Sequence, residues 1–336
     1  MSGAPLLIPG TAGVDFQWQD GKPAGYGLAI LSGEVTDDEA GLIAELSCEH
    51  PRSAPPFGPS RTSLRPDSSL TPFQTLLGTA YNKLPTRYKN FPYDWRLDIR
   101  YNAELLLDHL RKARSANQRW NLVGHSQGGL VILAASKLCE RRDEFASLVQ
   151  RIALVGCPMF GTMKAASAIL AGDSFGGIAS NFIKTVSRTW PAFAQMLPAY
   201  EAVKARPGWT GLTPELWSPL PWFERWEPLL QRAREFRAWF DADGIASHLD
   251  GDIELRLYYA RNHETPFRFT LQGGTAVSDE RAAGDSLVPY QITLRGLNRL
   301  RLHQFTRELA GDSVKDHLSL FNDARVVAAV DAFLSA

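Results

Sequence analysis

Arg119-Trp120-Asn121-Leu122-Val123-Gly124-His125-Ser126-Gln127-Gly128-Gly129-Leu130-Val131-Ile132-Leu133-Ala134-Ala135-Ser136 is the stretch that decides the fold. A short apolar run from Trp120 to Val123 enters a Gly-His-Ser-Gln-Gly turn, and a helix-forming run follows from Leu130. The expected path is strand, sharp turn, helix. Glycines on both sides of Ser126 remove Cβ clashes, so the hydroxyl can stand clear of the sheet in a strained backbone. The helix that follows directs its positive N-terminal end toward that serine, which suits an oxyanion.

The Gly-x-Ser-x-Gly pattern is short enough to arise by chance in about one sequence in seven of this length, so its context has to carry the reading. A strand before it and a helix after it are what the nucleophile elbow of α/β-hydrolases requires. Outward from the elbow, Lys89 to Tyr93 reads as a short strand and Asp98 to Ala116 as an amphipathic helix, with leucines at 105, 106, 107 and 110. Leu130 to Arg142 reads as a helix and Val149 to Val155 as a strand. Alternating strands and helices predict an α/β fold built on a mostly parallel central sheet with helices on both faces.

Residues 6 to 9, Leu-Leu-Ile-Pro, form an early strand that runs into Gly10-Thr11-Ala12-Gly13. In acyl transfer, negative charge develops on the former carbonyl oxygen. The hole that receives it combines the amide after the nucleophile with one from the loop after an early strand. The expected donors are the backbone N–H groups of Gln127 and Thr11. An ordinary tight turn is the alternative for residues 10 to 13.

Two stretches interrupt the alternation. Residues 14 to 87 are irregular, Pro- and Ser-rich from Pro51 to Pro66, with one helix expected around Pro72 to Leu84; a lid near the site is the expected role. Residues 164 to 245 hold six of the nine tryptophans, at 190, 209, 217, 222, 226 and 239. They are expected to form a large helical cap insertion whose aromatics, Trp190 and Phe193 among them, bind an apolar substrate chain. The alternative is that those rings only build the cap's own small core. The hydrolase core is then residues 1 to 163 and 246 to 336. Strands are expected again at Ile253 to Ala260, with a hairpin partner from Pro266 to Leu271, and near Leu300 to Phe305; a helix from about Lys315 ends the chain.

A serine hydroxyl needs a histidine within hydrogen-bond reach and a carboxylate to fix the imidazole tautomer. Chain order in this fold is Ser, then acid, then His. His303 and His317 are the candidates for the base, and His317 is preferred because it precedes the last helix from a loop. Asp285, in a Gly-Asp turn, is preferred as the acid over Asp312 and Asp316, which lie too close to His317 and read as loop or capping residues.

Composition bounds the rest. Thirty-six basic residues balance thirty-six acidic ones, which gives no field for nucleic acid or an anionic membrane, so no nucleic-acid partner is expected. No apolar run is long enough for a membrane span and no leader segment is visible, so a cytoplasmic protein is expected. Three cysteines without metal-type spacing predict neither a disulfide framework nor a metal site, and the chemistry calls for no cofactor.

Pro92-Tyr93-Asp94-Trp95-Arg96, Gly124-His125-Ser126-Gln127-Gly128, Gly284-Asp285 with Val288-Pro289, and His317 resemble the lecithin:cholesterol acyltransferase family. So does Trp190-Pro191-Ala192-Phe193-Ala194-Gln195-Met196-Leu197-Pro198. The resemblance implies an α/β-hydrolase fold, a Ser126, Asp285, His317 triad and acyl transfer from a lipid ester to water or an alcohol. The chain departs from the pattern in reading Gly-Asp-Ser-Leu-Val-Pro at the acid and in lacking a lid disulfide. Asp94 and Arg96 are expected to pair structurally beside the site. A hydrolase of small non-lipid esters or amides, and a catalytically silent binding module on the same fold, are the alternative readings.

Overall fold

A computed structural model describes residues 5–14, 16–18, 39–48, 64–66, 81–113, 119–173, 180–204, 206–242, 249, 253–272, 275–292, 306–308 and 316–336. Its strands are β1 Pro5–Ile8, β2 Phe16–Trp18, β3 Leu64–Pro66, β4 Lys89–Asn90, β5 Trp120–His125, β6 Val149–Val155, β7 Glu254–Tyr259, β8 His263–Gln272, β9 Thr275–Gly284 and β10 Thr306–Glu308. Six of them form one sheet in the order β10-β7-β6-β5-β1-β4, and every pairing in it is parallel. All residues of β1 and β5 are buried. Successive side chains on a strand point to opposite faces, so both faces of the sheet are covered at its centre.

The helices are α1 Glu39–Leu46, α2 Ile99–Lys112, α3 Gln127–Leu138, α4 Arg142–Leu148, α5 Met163–Ala171, α6 Asn181–Ser187, α7 Pro191–Gln195, α8 Phe223–Asp241 and α9 Ala324–Ser335. In α2 the leucines at 106, 107 and 110 are buried whereas Leu105 is 41% exposed, as a 3.6-residue period demands. Four helices, α5 to α8, stand between β6 and β7 as the inserted helical segment, and their apolar side chains join the same continuous core as the sheet.

The strand order places a topological switch at β1. From β1 the chain passes to β4 on one side and returns to β5 on the other, and in such sheets the crevice beyond the carboxyl ends of the two strands at the switch is where ligands bind. Gly10 and Thr11 follow β1 there, and Ser126 follows β5.

Several elements differ from the sequence expectation. The Pro266–Leu271 run does not pair with β7; it belongs to β8, which pairs antiparallel with β9 in a separate two-stranded sheet. Residues 14 to 87 contain α1 and the small β2-β3 sheet, and most of that stretch, including residues 72 to 80, lies outside the described residues. His303 and the 300 to 305 run also lie outside them, directly before β10. His317 opens a 3-10 turn, His317–Asn322, capped by Asp316, and α9 starts afresh from a second cap at Asp323.

Candidate active site

The elbow is built by close packing. Ser126 has φ 51° and ψ −125°, a left-handed conformation that a non-glycine residue adopts only under constraint. The constraint is two-sided: the Ser126 N–H donates to the Val155 carbonyl at 2.9 Å, and its own carbonyl accepts the Gly129 N–H at 3.0 Å. A Cβ at Gly128 would stand 2.0 Å from the Ile8 carbonyl oxygen, and one at Gly124 would stand 2.6 Å from Gly129 Cα. Only glycines let α3 start this close to β1 and β5.

Three side chains from distant parts of the chain converge here. His317 Nε2 lies 2.8 Å from Ser126 Oγ, and His317 Nδ1 lies 2.8 Å from Asp285 Oδ2. Asp285 and His317 are each 2% exposed, so little water competes for these contacts. The carboxylate is fixed in turn: its Oδ1 accepts the N–H groups of Leu287 and Val288 at 3.1 and 2.7 Å, and its backbone carbonyl accepts the His317 N–H at 2.7 Å. With Nδ1–H donating to the carboxylate, Nε2 is left as an acceptor facing the serine hydroxyl. Asp316, the rival acid, is exposed and caps the 3-10 turn through the Ser319 N–H; Asp312 lies outside the described residues.

Thr11 and Gln127 meet beside the serine. The Thr11 hydroxyl donates to Gln127 Oε1 at 2.6 Å, and Gln127 Nε2 donates to the Trp95 carbonyl at 2.9 Å, which ties the loop after β1 to the start of α3. The Gly10 N–H is occupied by Tyr81 Oη at 3.1 Å. Among the described residues, the N–H groups of Thr11, in the turn after β1, and of Gln127, in the first turn of α3, have no acceptor.

The Tyr93 to Arg96 segment braces the same loop. Tyr93 Oη donates to the Pro9 carbonyl at 2.6 Å and Trp95 Nε1 to that of Val14 at 3.0 Å. Arg96 forms a two-pronged pair with Asp94, at 2.9 and 2.7 Å, with both side chains buried and the guanidinium over the Phe16 ring. The pair is structural, as the residue types imply: a fork matched to a carboxylate and shielded from water.

An open pocket lies over Ser126 and His317. Its wall is mostly apolar, with Pro158, Ala165, Phe193, Met196, Leu287 and Val288. Lys164 also borders it, with its ammonium 2.8 Å from the Asp173 carboxylate. Phe193 therefore faces the cavity. Trp190 stands behind it, edge-on to Trp95, with Nε1 donating to the Leu46 carbonyl at 2.8 Å. The sequence reading quoted Met196 and Val288 only within the stretches that carry the family resemblance and assigned no wall role to 158, 196, 287 or 288, although the loop after β6 ends at the sheet edge where site residues gather. Among the described residues, no group of three or more His, Cys, Asp or Glu side chains is placed to hold a metal ion.

The family model of lecithin:cholesterol acyltransferase matches residues 76–219, a segment that contains the Tyr93–Arg96 box, the elbow and α7. This chain resembles the lecithin:cholesterol acyltransferase family. Its structure is similar to one in the crystal structure of the Tle4-Tli4 complex, with a TM-score of 0.60 and 12% identity over 99% of each chain. At that identity the likeness speaks to the fold alone, which is the α/β-hydrolase fold. A Bacillus licheniformis lipase, BlEst2 in its mature form, matches with a TM-score of 0.42 and 13% identity over 80% of this chain and 86% of that one, too loosely to add to the argument. No curated protein matches the chain in sequence. The family-model match supports a lipid ester hydrolase or acyltransferase at the level of the family it resembles.

Proposed function

We propose that the protein is a serine acyl hydrolase, with lipid acyl esters as its first substrate class, that works through an acyl-Ser126 intermediate. The observation that carries this reading is the 2.8 Å spacing on both sides of the His317 ring, to Ser126 Oγ and to Asp285 Oδ2. In this reading the Ser126 proton passes to His317 Nε2 as Oγ bonds to the ester carbonyl carbon. The carbonyl oxygen takes up negative charge against the N–H groups of Thr11 and Gln127. Asp285 stabilises the imidazolium without taking its proton. His317 then returns the proton to the departing alcohol as the ester C–O bond breaks, and water or an acceptor alcohol repeats the sequence to release the acyl group.

The apolar wall at Phe193, Met196, Leu287 and Val288 supports an aliphatic acyl chain as the group held beside the serine. Residues 164 to 245 act in this proposal as the cap that screens it from water. The test is labelling with a fluorophosphonate followed by peptide mapping, beside nitrophenyl esters of graded acyl length. Label on Ser126 and turnover that vanishes in Ser126→Ala are expected. Hydrolysis that persists in Ser126→Ala would overturn the mechanism, and an unlabelled, inactive protein would favour a binding role.

A further inference from the structure

His125, which precedes Ser126, is 2% exposed, and both of its ring nitrogens are engaged. Nε2 lies 3.1 Å from the His317 carbonyl oxygen, and Nδ1 lies 2.6 Å from Tyr81 Oη. These contacts determine where the hydrogens sit. A carbonyl oxygen can only accept, so Nε2 carries the proton. Burial, reinforced by the nearby His317, pushes His125 down to about 3, so the ring is neutral near pH 7 and Nδ1 is an acceptor. Tyr81, whose ionisation burial also opposes, must then donate its hydroxyl hydrogen to Nδ1, and its oxygen receives the Gly10 N–H at 3.1 Å.

The result is one directional chain: Gly10 N–H to Tyr81 O–H to His125 N–H to the His317 carbonyl. It joins four segments of sequence, and each donor and acceptor along it is used. Packing holds the rings in place. Tyr81 meets His125 edge-on with centroids 5.6 Å apart, Phe321 closes on both, and the His125 ring stands 5.2 Å from that of His317.

We propose that Tyr81 and His125 are positioning residues: a hydrogen-bonded strap that sets the Gly10–Thr11 backbone and the His317 backbone in register across Ser126. Neither touches the reacting atoms. The strap fixes the distance between the oxyanion donor of one loop and the base of another, which no direct contact between those loops does among the described hydrogen bonds. Placement of this kind is sensitive, since a displacement of about 1 Å in a reacting group can lower a rate about a hundredfold. The inference rests on the acyl-serine reading.

Tyr81→Phe keeps the ring packed on His125 and Phe321 and removes only the hydroxyl. The expected result is a fall in kcat for nitrophenyl butyrate of about tenfold to a hundredfold with KM within about twofold, and fluorophosphonate labelling slowed by the same factor. His125→Gln, which can still donate to the His317 carbonyl, is expected to keep about ten times the activity of His125→Leu, which fills similar space without a donor.

A second readout needs no turnover. The His317 Nδ1–H bound to Asp285 should give a low-field proton resonance, absent in His317→Asn, that shifts or broadens in Tyr81→Phe. An unchanged kcat and unchanged resonance in Tyr81→Phe, in an otherwise active enzyme, would overturn the strap alone. So would equal losses in His125→Gln and His125→Leu. If the wild type hydrolyses no ester while the resonance still responds, the hydrolase reading fails and the strap stands. Should the His125 variants not fold, the Tyr81→Phe comparison decides by itself.

Discussion

Gln195 donates its side-chain amide to the Asp98 carboxylate at 2.7 Å and accepts the Ile99 N–H at 2.8 Å on its carbonyl oxygen, so a side chain of the inserted segment closes the first turn of α2. Asp98 caps the same helix through the Arg100 N–H. Burial raises this carboxyl to about 6 despite those donors. The folded state therefore binds a proton more tightly than the unfolded chain, whose aspartates titrate near about 3.9. Between about pH 4 and pH 6 stability falls as pH rises, and above that window the loss is complete. Asp98→Asn has no such proton. The stability difference between wild type and Asp98→Asn, from urea melts at steps between those limits and pH 7, is expected to shrink by about 1–3 kcal/mol as pH rises. A difference that does not change with pH would assign the titration elsewhere.

Asp285→Asn can still accept the Leu287 and Val288 N–H groups, but its amide then faces His317 Nδ1 and reverses the tautomer, leaving Nε2 unable to accept from Ser126. A fall of about ten-thousandfold in kcat is expected, with the melting temperature little changed. Turnover near that of the wild type would reassign the acid.

Phe193 and Trp190 should separate cleanly. Phe193→Ala opens the cavity wall, so kcat/KM for long-chain esters is expected to drop more than for acetate, by up to about 0.8 kcal/mol per methylene that loses its contact. Trp190→Ala empties a site behind the wall and should instead destabilise by about 3–5 kcal/mol in thermal or urea melts, with equal effects on short and long esters. A chain-length effect in Trp190→Ala larger than in Phe193→Ala would exchange their roles.

Gly128→Ala forces a carbon to within 2.0 Å of the Ile8 carbonyl, so α3 must retreat from β1 and carry Ser126 with it. A stability loss of about 3 kcal/mol or more is expected, together with weaker fluorophosphonate labelling of the molecules that remain folded. Full labelling at unchanged stability would mean that the elbow has room not visible in its packing.

The parts legible in the sequence are those whose determinants are local. Ile152 to Val155 is a continuous apolar run and forms the buried end of strand β6; Gly124 and Gly128 mark a turn that only small residues can make. Asp285 and His317, chosen by chain order, are brought to Ser126. The β8-β9 hairpin was misread because the alternating pattern from 263 onward fits a partner for either neighbour, although Gly273-Gly274 between the two runs is itself a turn signal. Tyr81 left no signal. Its contacts lie with Gly10 and His125, 71 and 44 residues away, and nothing in the irregular stretch around it distinguishes it from other tyrosines.

Because β1 is threaded between β4 and β5, it pairs with residues more than eighty positions later, and Ser126 meets His317 across 191 positions. On a ribosome adding about 5–20 residues per second, the serine is made about 10–40 s before the histidine. Once β6 is made, the elbow has the Val155 carbonyl that holds the Ser126 backbone, while His317 is still to come. A nascent chain that ends between Val288 and His317 holds the serine and the other wall residues but not the histidine, so under the proposed mechanism the order of synthesis withholds reactivity until the final turn is made.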